Sequence, residues 1–304
     1  MANSNGWGDG AANNAIGWGQ GANNAIGWGD IHADSWAGLT DIVGITTPPI
    51  DPDAQAFITA ASITDPTQQS AINQLVVDLK GYSIWTKMKA LYPFVGGTAS
   101  QHKFNLKDPR DLDAAFRLQF FGGVTHSNLG ALGNGLNGYA ISYLNPLTQL
   151  TNSNLHFSWY TRNASNLGAF SNEIASDAPY ISSPWVTFRT NNKVSGNAYF
   201  SAGDDNIAAT VSNTLGGFIL GSETASNLRK LYRNSSVIAT NTTNDTTALP
   251  NNNLNLWGGS PLSFTNYSGN NCAFASIGDG LTDTEASNFY TAVQAFQTTL
   301  GRQV

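Results

Sequence analysis

Apolar and polar residues alternate along short segments of this chain from about Val95 onwards, and turn residues separate the segments about every 8 to 12 positions. Because successive side chains of a strand point to opposite faces, this period of two predicts β-strands. No helical pattern interrupts the series, so the sequence predicts an antiparallel sandwich. In YAISYL, the alternating apolar residues are Tyr139, Ile141 and Tyr143. The other segments are FRLQFF, LHFSWYTR, PWVTFRT, NAYFSA, NIAATV, GGFILGS, LRKLYR, VIAT, LNLWGG and CAFASIG.

A helical period of about 3.6 residues appears on both sides of the strand region. TDPTQQSAINQLVVDLKGY predicts a helix with Asp65 as its N-cap, Pro66 at its first position and Gly81 at its end. The closing segment predicts a second long helix, which begins with a capping box between Thr282 and Glu285.

A shorter helix is predicted just before the strands, where Ile84, Trp85, Met88 and Leu91 are spaced as one apolar face. The helical region then covers roughly Pro66 to Tyr92. Its apolar face is a candidate contact between copies of the chain, and burial within one chain is the equally supported alternative.

The first residues carry a repeat that fits neither a strand nor a helix, because GWGDGAANNA, GWGQGANNAI and GWGDIHADSWAG follow one another. Its period is also too short for a solenoid. Glycines beside each indole let the backbone adopt positive φ and turn the side chain outwards. Such a segment cannot bury enough surface to fold alone, so it is either held by a partner or a flexible linker. The tryptophans are Trp7, Trp18, Trp28 and Trp36.

These patterns divide the chain into three parts. Residues 1–50 form an extended arm that contains the repeat, and the prolines of TTPPIDPD mark its end. Residues 51–92 form a helical collar, and residues 93–304 form the sandwich with its C-terminal helix.

The composition narrows the function classes. Charged residues make up 11% of the chain, against about 25% in an average soluble domain. A surface of neutral amides and hydroxyls is typical of extracellular β-rich and fibre-like proteins. The formal net charge of -6 and the single short basic segment LRKLYR argue against nucleic-acid binding. The lone Cys272 excludes an intrachain disulfide and a cysteine metal site, and we expect no cofactor.

The first residues show no secretory-leader pattern, and no apolar run in the sequence has membrane-spanning length. We therefore expect synthesis in a host cytoplasm without export or membrane insertion. A virion component, which leaves the cell by lysis, reconciles this expectation with the extracellular type of composition.

Candidate catalytic and metal-binding residues are few. The only glutamates are Glu173, Glu223 and Glu285, and none shares a strand face with a second acid as a glucanase requires. We therefore expect no enzymatic activity. Asp204, Asp205 and Asn206 fit a plain hairpin turn better than a Ca²⁺ site. The histidines have no metal-ligand spacing and are expected to be structural; they are His32, His102, His126 and His156.

Glycan binding remains open, because it needs an aromatic platform with amides or carboxylates nearby. Trp159 and Tyr160 are candidates, although neighbours on a strand point to opposite faces and one of them is expected in the core. Trp185, which follows SSP, is the third candidate.

Three stretches resemble known families. CAFASIGDGLTDTEASNFYTAVQAFQTTLGR resembles the closing segment of concanavalin A-like, laminin-G-like jelly rolls, in which a core strand leads into a turn and a helix. SIWTKMKALYPFVGGTASQHKFNLKDPRDLDAAFRLQFFGG resembles a module of structural and appendage proteins of tailed phages, including flavobacterial and crAss-like phages. The opening GWGDGAANNAIGWGQGANNAIGWGDIHADSWAG is similar to N-terminal segments that precede such modules.

The resemblance implies a jelly roll attached to a virion, as a head fibre, capsid decoration or tail appendage, and it supplies no enzymatic residues. Because such appendages are generally oligomeric, we expect a homo-oligomer. The expected oligomer is a trimer. A free lectin is the first alternative, and a polysaccharide depolymerase is the second. Under the virion hypothesis, residues 1–44 bind another virion protein through indole anchors and amide hydrogen bonds. The predicted contact residues are Trp7, Trp18, Trp28, Trp36, Asn13, Asn14, Asn23 and Asn24.

Overall fold

The alternating segments form strands in a computed structural model, which describes residues 49–162, 172–176, 184–192, 196–211, 216–258 and 266–304. The strands are β1 Met88–Tyr92, β2 Gln119–Phe121, β3 Thr125–Ser127, β4 Gly130–Leu132, β5 Tyr139–Ile141, β6 Leu155–Thr161, β7 Ile174–Ser176, β8 Trp185–Asn192, β9 Asn197–Gly203, β10 Asp205–Thr210, β11 Gly217–Ala225, β12 Leu228–Arg233, β13 Ser236–Asn241, β14 Leu254–Leu256, β15 Asn271–Cys272 and β16 Phe274–Gly278. The helices are α1 Pro52–Ala60, α2 Pro66–Gly81, α3 Ala99–His102, α4 Pro146–Gln149 and α5 Asp283–Thr299.

The strands form two large sheets and one small one. The order in the six-stranded sheet is β1-β16-β6-β11-β12-β13, and the order in the seven-stranded sheet is β10-β9-β8-β7-β14-β5-β2. A three-stranded sheet has the order β15-β4-β3. The ladders between these strands are antiparallel. The prediction of a mainly β, antiparallel sandwich with a C-terminal helix is confirmed, whereas the jelly-roll topology stays a prediction.

Strand β6 belongs to the six-stranded sheet, which lies between the seven-stranded sheet and a layer of helices. All seven of its residues are buried. Phe157 and Trp159 face the seven-stranded sheet in one apolar cluster. Tyr160 belongs to a second cluster, in which the six-stranded sheet packs against α1, α2 and α5. Because the sheet is covered on both faces, the polar side chains of β6 are buried as well, and His156 and Ser158 both hydrogen-bond to one serine of β16.

The predicted helix ends are confirmed by their hydrogen bonds. The side chain of Asp65 accepts from the backbone N–H of Gln68 at 2.9 Å, and Pro66 is the first residue of α2. At the start of α5, Thr282 and Glu285 form the reciprocal capping box. Each cap satisfies N–H groups that lack a partner within the helix, which contributes about 1 kcal/mol.

The shorter helix predicted just before the strands is wrong. Trp85–Lys87 is a single 3₁₀ turn, and the following residues form β1, which pairs with β16. Pairing at the sheet edge gives the backbone N–H and C=O groups of β1 hydrogen-bond partners and also buries Met88 and Leu91. These tertiary contacts override the helical spacing of the apolar residues. The proposed contact between copies is also corrected, because Trp85, Met88 and Leu91 are at most 7% exposed within one chain.

The helices and the sandwich belong to one compact unit, Ile50–Val304. The boundary predicted at residue 92 therefore does not separate a collar from the sandwich. The arm, residues 1–50, lies outside the described residues except for its last two positions. Within the described part of the chain, no helix has the length and apolar character needed to span a membrane.

Candidate functional site

The predicted virion contacts cannot be placed, because they all lie outside the described residues. They are Trp7, Trp18, Trp28, Trp36, Asn13, Asn14, Asn23 and Asn24.

Two of the predicted glycan platforms are core residues. Trp159 is fully buried, its indole N–H donates to the backbone carbonyl of Asn271 at 3.0 Å, and its ring packs edge-on against Trp257. Tyr160 is also buried, and its hydroxyl donates to Gln294 of α5 at 3.0 Å. This corrects the prediction that one of the pair faces solvent, because the helical layer covers the face that Tyr160 occupies.

Trp185 lies on the outer face of the seven-stranded sheet. Its neighbour Val186 points into the sandwich, so Trp185 points away from it, and it is half-buried. The centre of this face is nevertheless covered, because Thr187, Ser201 and Asn255 are at most 2% exposed. The accessible part of the outer face lies at the other end of the seven-stranded sheet, which β5 and β2 form.

Three aromatic rings line the outer face at that end, and we name Phe121, Tyr139 and Tyr267 the aromatic shelf. Phe121 and Tyr139 are register partners on β2 and β5, and their rings stack with centroids 5.0 Å apart and planes 15° apart. Tyr267 lies 6.2 Å beyond Tyr139. All three side chains are half-buried. Aromatic rings that a strand turns outward, away from its core, are typical of a binding surface.

Neutral amides flank the shelf on both sides. Gln119 is exposed and occupies the next outward position on β2, and the hydroxyl of Tyr143 donates to its Oε1. On the other side, Oδ1 of Asn137 accepts from the backbone N–H of Gly123 at 3.1 Å. Gly122 lies at this contact with φ of 62°, and a Cβ there would clash with the Asn137 carbonyl. The glycine therefore allows the Asn137 loop to pack close to the shelf.

The loop itself is built by one side chain. Oδ1 of Asn134 accepts from the backbone N–H groups of Leu136, Asn137 and Gly138 at 2.9 to 3.0 Å. Its Nδ2 donates to Asn137 at 2.7 Å. The segment SNLGALGNGLNG thus contains β4 and a loop that holds Asn137 beside the shelf.

The buried carboxylate of Glu173 serves the structure. It accepts from the backbone N–H of Thr190 at 2.6 Å, from the Ser268 hydroxyl at 2.8 Å and from the Asn270 amide at 2.7 Å. Burial raises the pKa of Glu173, and these donors oppose the change. With its oxygens occupied by the protein, the carboxyl group has no open approach for a substrate.

A second buried acid, Glu223, pairs with Arg229 at 3.0 Å, and Arg229 also lies 3.5 Å from Asp245. Asp245 in turn accepts from the backbone N–H of Asp204 at 3.0 Å. Asp204 is the one residue between β9 and β10, so the predicted hairpin is present, although Asp205 and Asn206 already belong to β10. In the part of the chain that the structure describes, no three His, Cys, Asp or Glu residues are arranged to hold a metal ion.

A cleft of about 160 Å³ lies beside the start of α5, but its charges satisfy one another. Lys230 lies 2.8 Å from both carboxylate oxygens of Asp283, and the hydroxyl of Tyr232 donates to the same carboxylate at 2.7 Å. These contacts lower the pKa of Asp283. The arrangement ties α5 to β12.

The described histidines are held neutral by their surroundings. In His156, Nδ1 donates to the Asp279 carbonyl at 2.6 Å and Nε2 accepts from Ser276 at 3.0 Å. Burial lowers the pKa of His156 to about 4. In His102, Nε2 accepts from the Gly97 N–H, so Nδ1 donates to Nδ1 of His126 at 3.0 Å. Burial lowers the pKa of His102 to about 3, with His126 and Arg302 as weaker causes.

This neutrality predicts a stability that falls in acid. Between pH 6.5 and about 4 the unfolded chain binds a proton at His156 that the folded chain does not, so the free energy of unfolding decreases as the pH falls, by up to about 1.4 kcal/mol per pH unit. The raised pKa of Glu173 changes the free energy of unfolding in the opposite direction as the pH falls. The test therefore compares the wild type with a variant that lacks only His156. Measured by urea denaturation, the free energies of unfolding of the wild type and His156→Gln should approach each other by about 3 kcal/mol between pH 6.5 and 4. A constant difference would contradict the assignment.

No family model matches the chain, and no curated protein matches it. The similarities are to solved structures. Domain 4 of AbnA, a GH43 extracellular arabinanase from Geobacillus stearothermophilus, in complex with arabinotriose, is 12% identical with a TM-score of 0.46, over 67% of this chain and 98% of that one. A Ruminococcus gnavus IT-sialidase CBM40 is 12% identical with a TM-score of 0.38, over 45% of this chain and 82% of that one.

A Trypanosoma rangeli sialidase mutant that displays trans-sialidase activity has a TM-score of 0.50 at 8% identity, over 75% of this chain. The chain spans only 39% of the length of that sialidase. At this level of identity the likeness concerns the fold, which is that of a mainly antiparallel β protein.

Proposed function

We propose that this chain is a structural protein of a bacteriophage virion, a head fibre, capsid decoration or tail appendage subunit, whose sandwich binds host surface glycans at the aromatic shelf. It is made in the host cytoplasm and carried on the particle. Other virion proteins are its partners through residues 1–44, and the chain acts as a homo-oligomer, with a trimer expected. It binds neither nucleic acid nor membranes.

The aromatic shelf is the observation that carries the glycan part of the proposal. A pyranose has an apolar C–H face that packs on an aromatic ring, and hydroxyls at its rim that need hydrogen-bond partners. Phe121 and Tyr139 offer the rings, while Gln119 and Asn137 offer amides on either side. A small number of placed polar groups around an apolar surface is the usual composition of a ligand site.

The sequence supports the virion part of the proposal, through the Gly/Trp repeat and the segment around KMKALYPFVGG. The neutral composition is also suited to a surface that works outside the cell. The alternative hypothesis of a free lectin explains the aromatic shelf equally well, but it assigns no role to the Gly/Trp repeat.

We further propose that the chain is not an enzyme. Retaining glycosidases hold two carboxyl groups about 5 Å apart across an open substrate site. Glu173 and Glu223 are fully buried among their own partners, and Glu285 is engaged in the α5 cap and by Lys87 at 2.7 Å. A depolymerase would need a different pair of acids.

Binding of the full chain to a glycan array tests the glycan part. We expect Phe121→Ala to weaken binding about tenfold or more, because the substitution removes the ring face at the edge of the shelf. Tyr82→Ala, which removes an aromatic side chain that is 37% exposed after α2, is the matched control and should bind as wild type does. Absence of any glycan binding, or equal binding by wild type and Phe121→Ala, would refute the proposed site.

A further inference from the structure

We infer that the aromatic shelf selects uncharged glycans and that the sugar ring stacks on the outward face of Phe121, beyond the last strand of the seven-stranded sheet. The inference rests on the proposed glycan binding and adds the class of ligand and its position.

The order of the rings defines the docking face. The stack runs from Tyr267 through Tyr139 to Phe121, and β2, which carries Phe121, is the last strand of its sheet. One face of the Phe121 ring lies against Tyr139, so the other face points away from the sheet. Among the described residues no further ring contacts Phe121. A sugar ring would continue the stack at this end.

The amides beside that face offer hydrogen-bond donors. Asn137 uses its Oδ1 to accept from a backbone N–H, which fixes its NH₂ group as the part that remains for a ligand. Gln119 likewise uses its Oε1 for the Tyr143 hydroxyl. Outward positions on a strand are about 6.8 Å apart, so the Gln119 amide reaches the rim of a pyranose stacked on Phe121. Hydroxyl oxygens and acetamido carbonyls are suitable acceptors for both donors.

The charges near the shelf argue against an acidic ligand. Arg117, two residues before β2, lies 2.8 Å from Asp113 and 3.0 Å from Asp111, and Lys103 pairs with Asp111 as well. These two cations and two anions cancel. A carboxylate ligand is best bound by a guanidinium fork, and this one is already occupied by carboxylates of the chain. An acidic sugar would lose hydration here without gaining a cation.

Matched oligosaccharides test the inference on the full chain. The probes are neutral hexose and N-acetylhexosamine oligosaccharides and the same backbones carrying a uronic or sialic acid. We expect at least about tenfold tighter binding of the neutral member of each pair, with little change between low and high salt. Gln119→Leu and Asn137→Leu should each weaken binding of the neutral probe, whereas Arg117→Gln should not.

The possible failures are distinguishable. Preference for the acidic probes, loss of binding in Arg117→Gln, or strong weakening by salt would overturn the inference while leaving glycan binding at Phe121 intact. Binding of no probe at all would overturn both the inference and the proposed function. Circular dichroism of each variant separates loss of a contact from loss of the fold.

Discussion

Replacing Arg302 with alanine is expected to lower the free energy of unfolding by about 3 to 5 kcal/mol and the thermal midpoint by roughly 10 °C. Arg302 is 1% exposed, and its guanidinium donates to the backbone carbonyls of Pro93, Phe94 and Ala273 at 2.9 to 3.1 Å. Its Nε also donates to Gln297 at 2.9 Å. The substitution leaves the buried carbonyls of Pro93 and Phe94 without this donor, while Ala273 keeps a bond from Gln297 at 3.2 Å. A buried acceptor without a partner costs more than the hydrogen bond itself contributes.

Arg110→Ala is the matched control for this prediction. Arg110 pairs with Asp108, but its side chain is 65% exposed, so water replaces the lost partner. We expect no measurable change in the thermal midpoint. Equal midpoints for Arg302→Ala and Arg110→Ala would contradict the stabilising role assigned to the buried hydrogen bonds of Arg302.

Deleting residues 1–44 is expected to leave thermal unfolding of the remaining chain unchanged and to remove the protein from phage particles. Residues 50–304 form a compact unit of their own, and the described residues of its core lie between Ala54 and Phe296. Under the proposal, indole anchors supply most of the binding energy to the virion partner, so their loss abolishes incorporation. Quantitative mass spectrometry of purified particles measures the outcome.

A second variant separates an anchor from a linker. Substituting alanine for the repeat tryptophans, Trp7, Trp18, Trp28 and Trp36, keeps the length of the arm but removes its large side chains. Incorporation of this variant at the wild-type level would refute the anchor hypothesis. Incorporation of the deletion variant would refute attachment through this segment altogether.

The sequence predicts those parts of the fold that depend on local rules. Turn residues and alternation locate the strands from β8 to β13, and Asp65, Thr282 and Glu285 predict the helix ends because a cap is formed within a few residues. Strand β1 is not predicted by these local rules, which indicate a helix at its position. Its helical spacing is a local signal, whereas its pairing with β16 joins Tyr92 to Ala275, far along the chain.

The shelf also depends on pairing between strands. The alternation in YAISYL correctly places Tyr139 and Ile141 on one face, but the small residue between them, Ala140, is the one that faces the core. Large aromatic side chains usually occupy the buried face, so composition alone predicts the opposite orientation. Phe121 joins Tyr139 only through the register of β2 with β5. The signal in the sequence is a strand whose larger residues face outward, which is typical of binding surfaces.

The most direct test of the central claim is the position of a bound glycan. The measurement is a crystal structure of the full chain with the oligosaccharide that binds most tightly on the array. The account predicts a sugar ring packed on the outward face of Phe121, with hydroxyls within hydrogen-bond distance of Gln119 and Asn137. A glycan bound at any other surface, with the Phe121 ring left unoccupied, would contradict it.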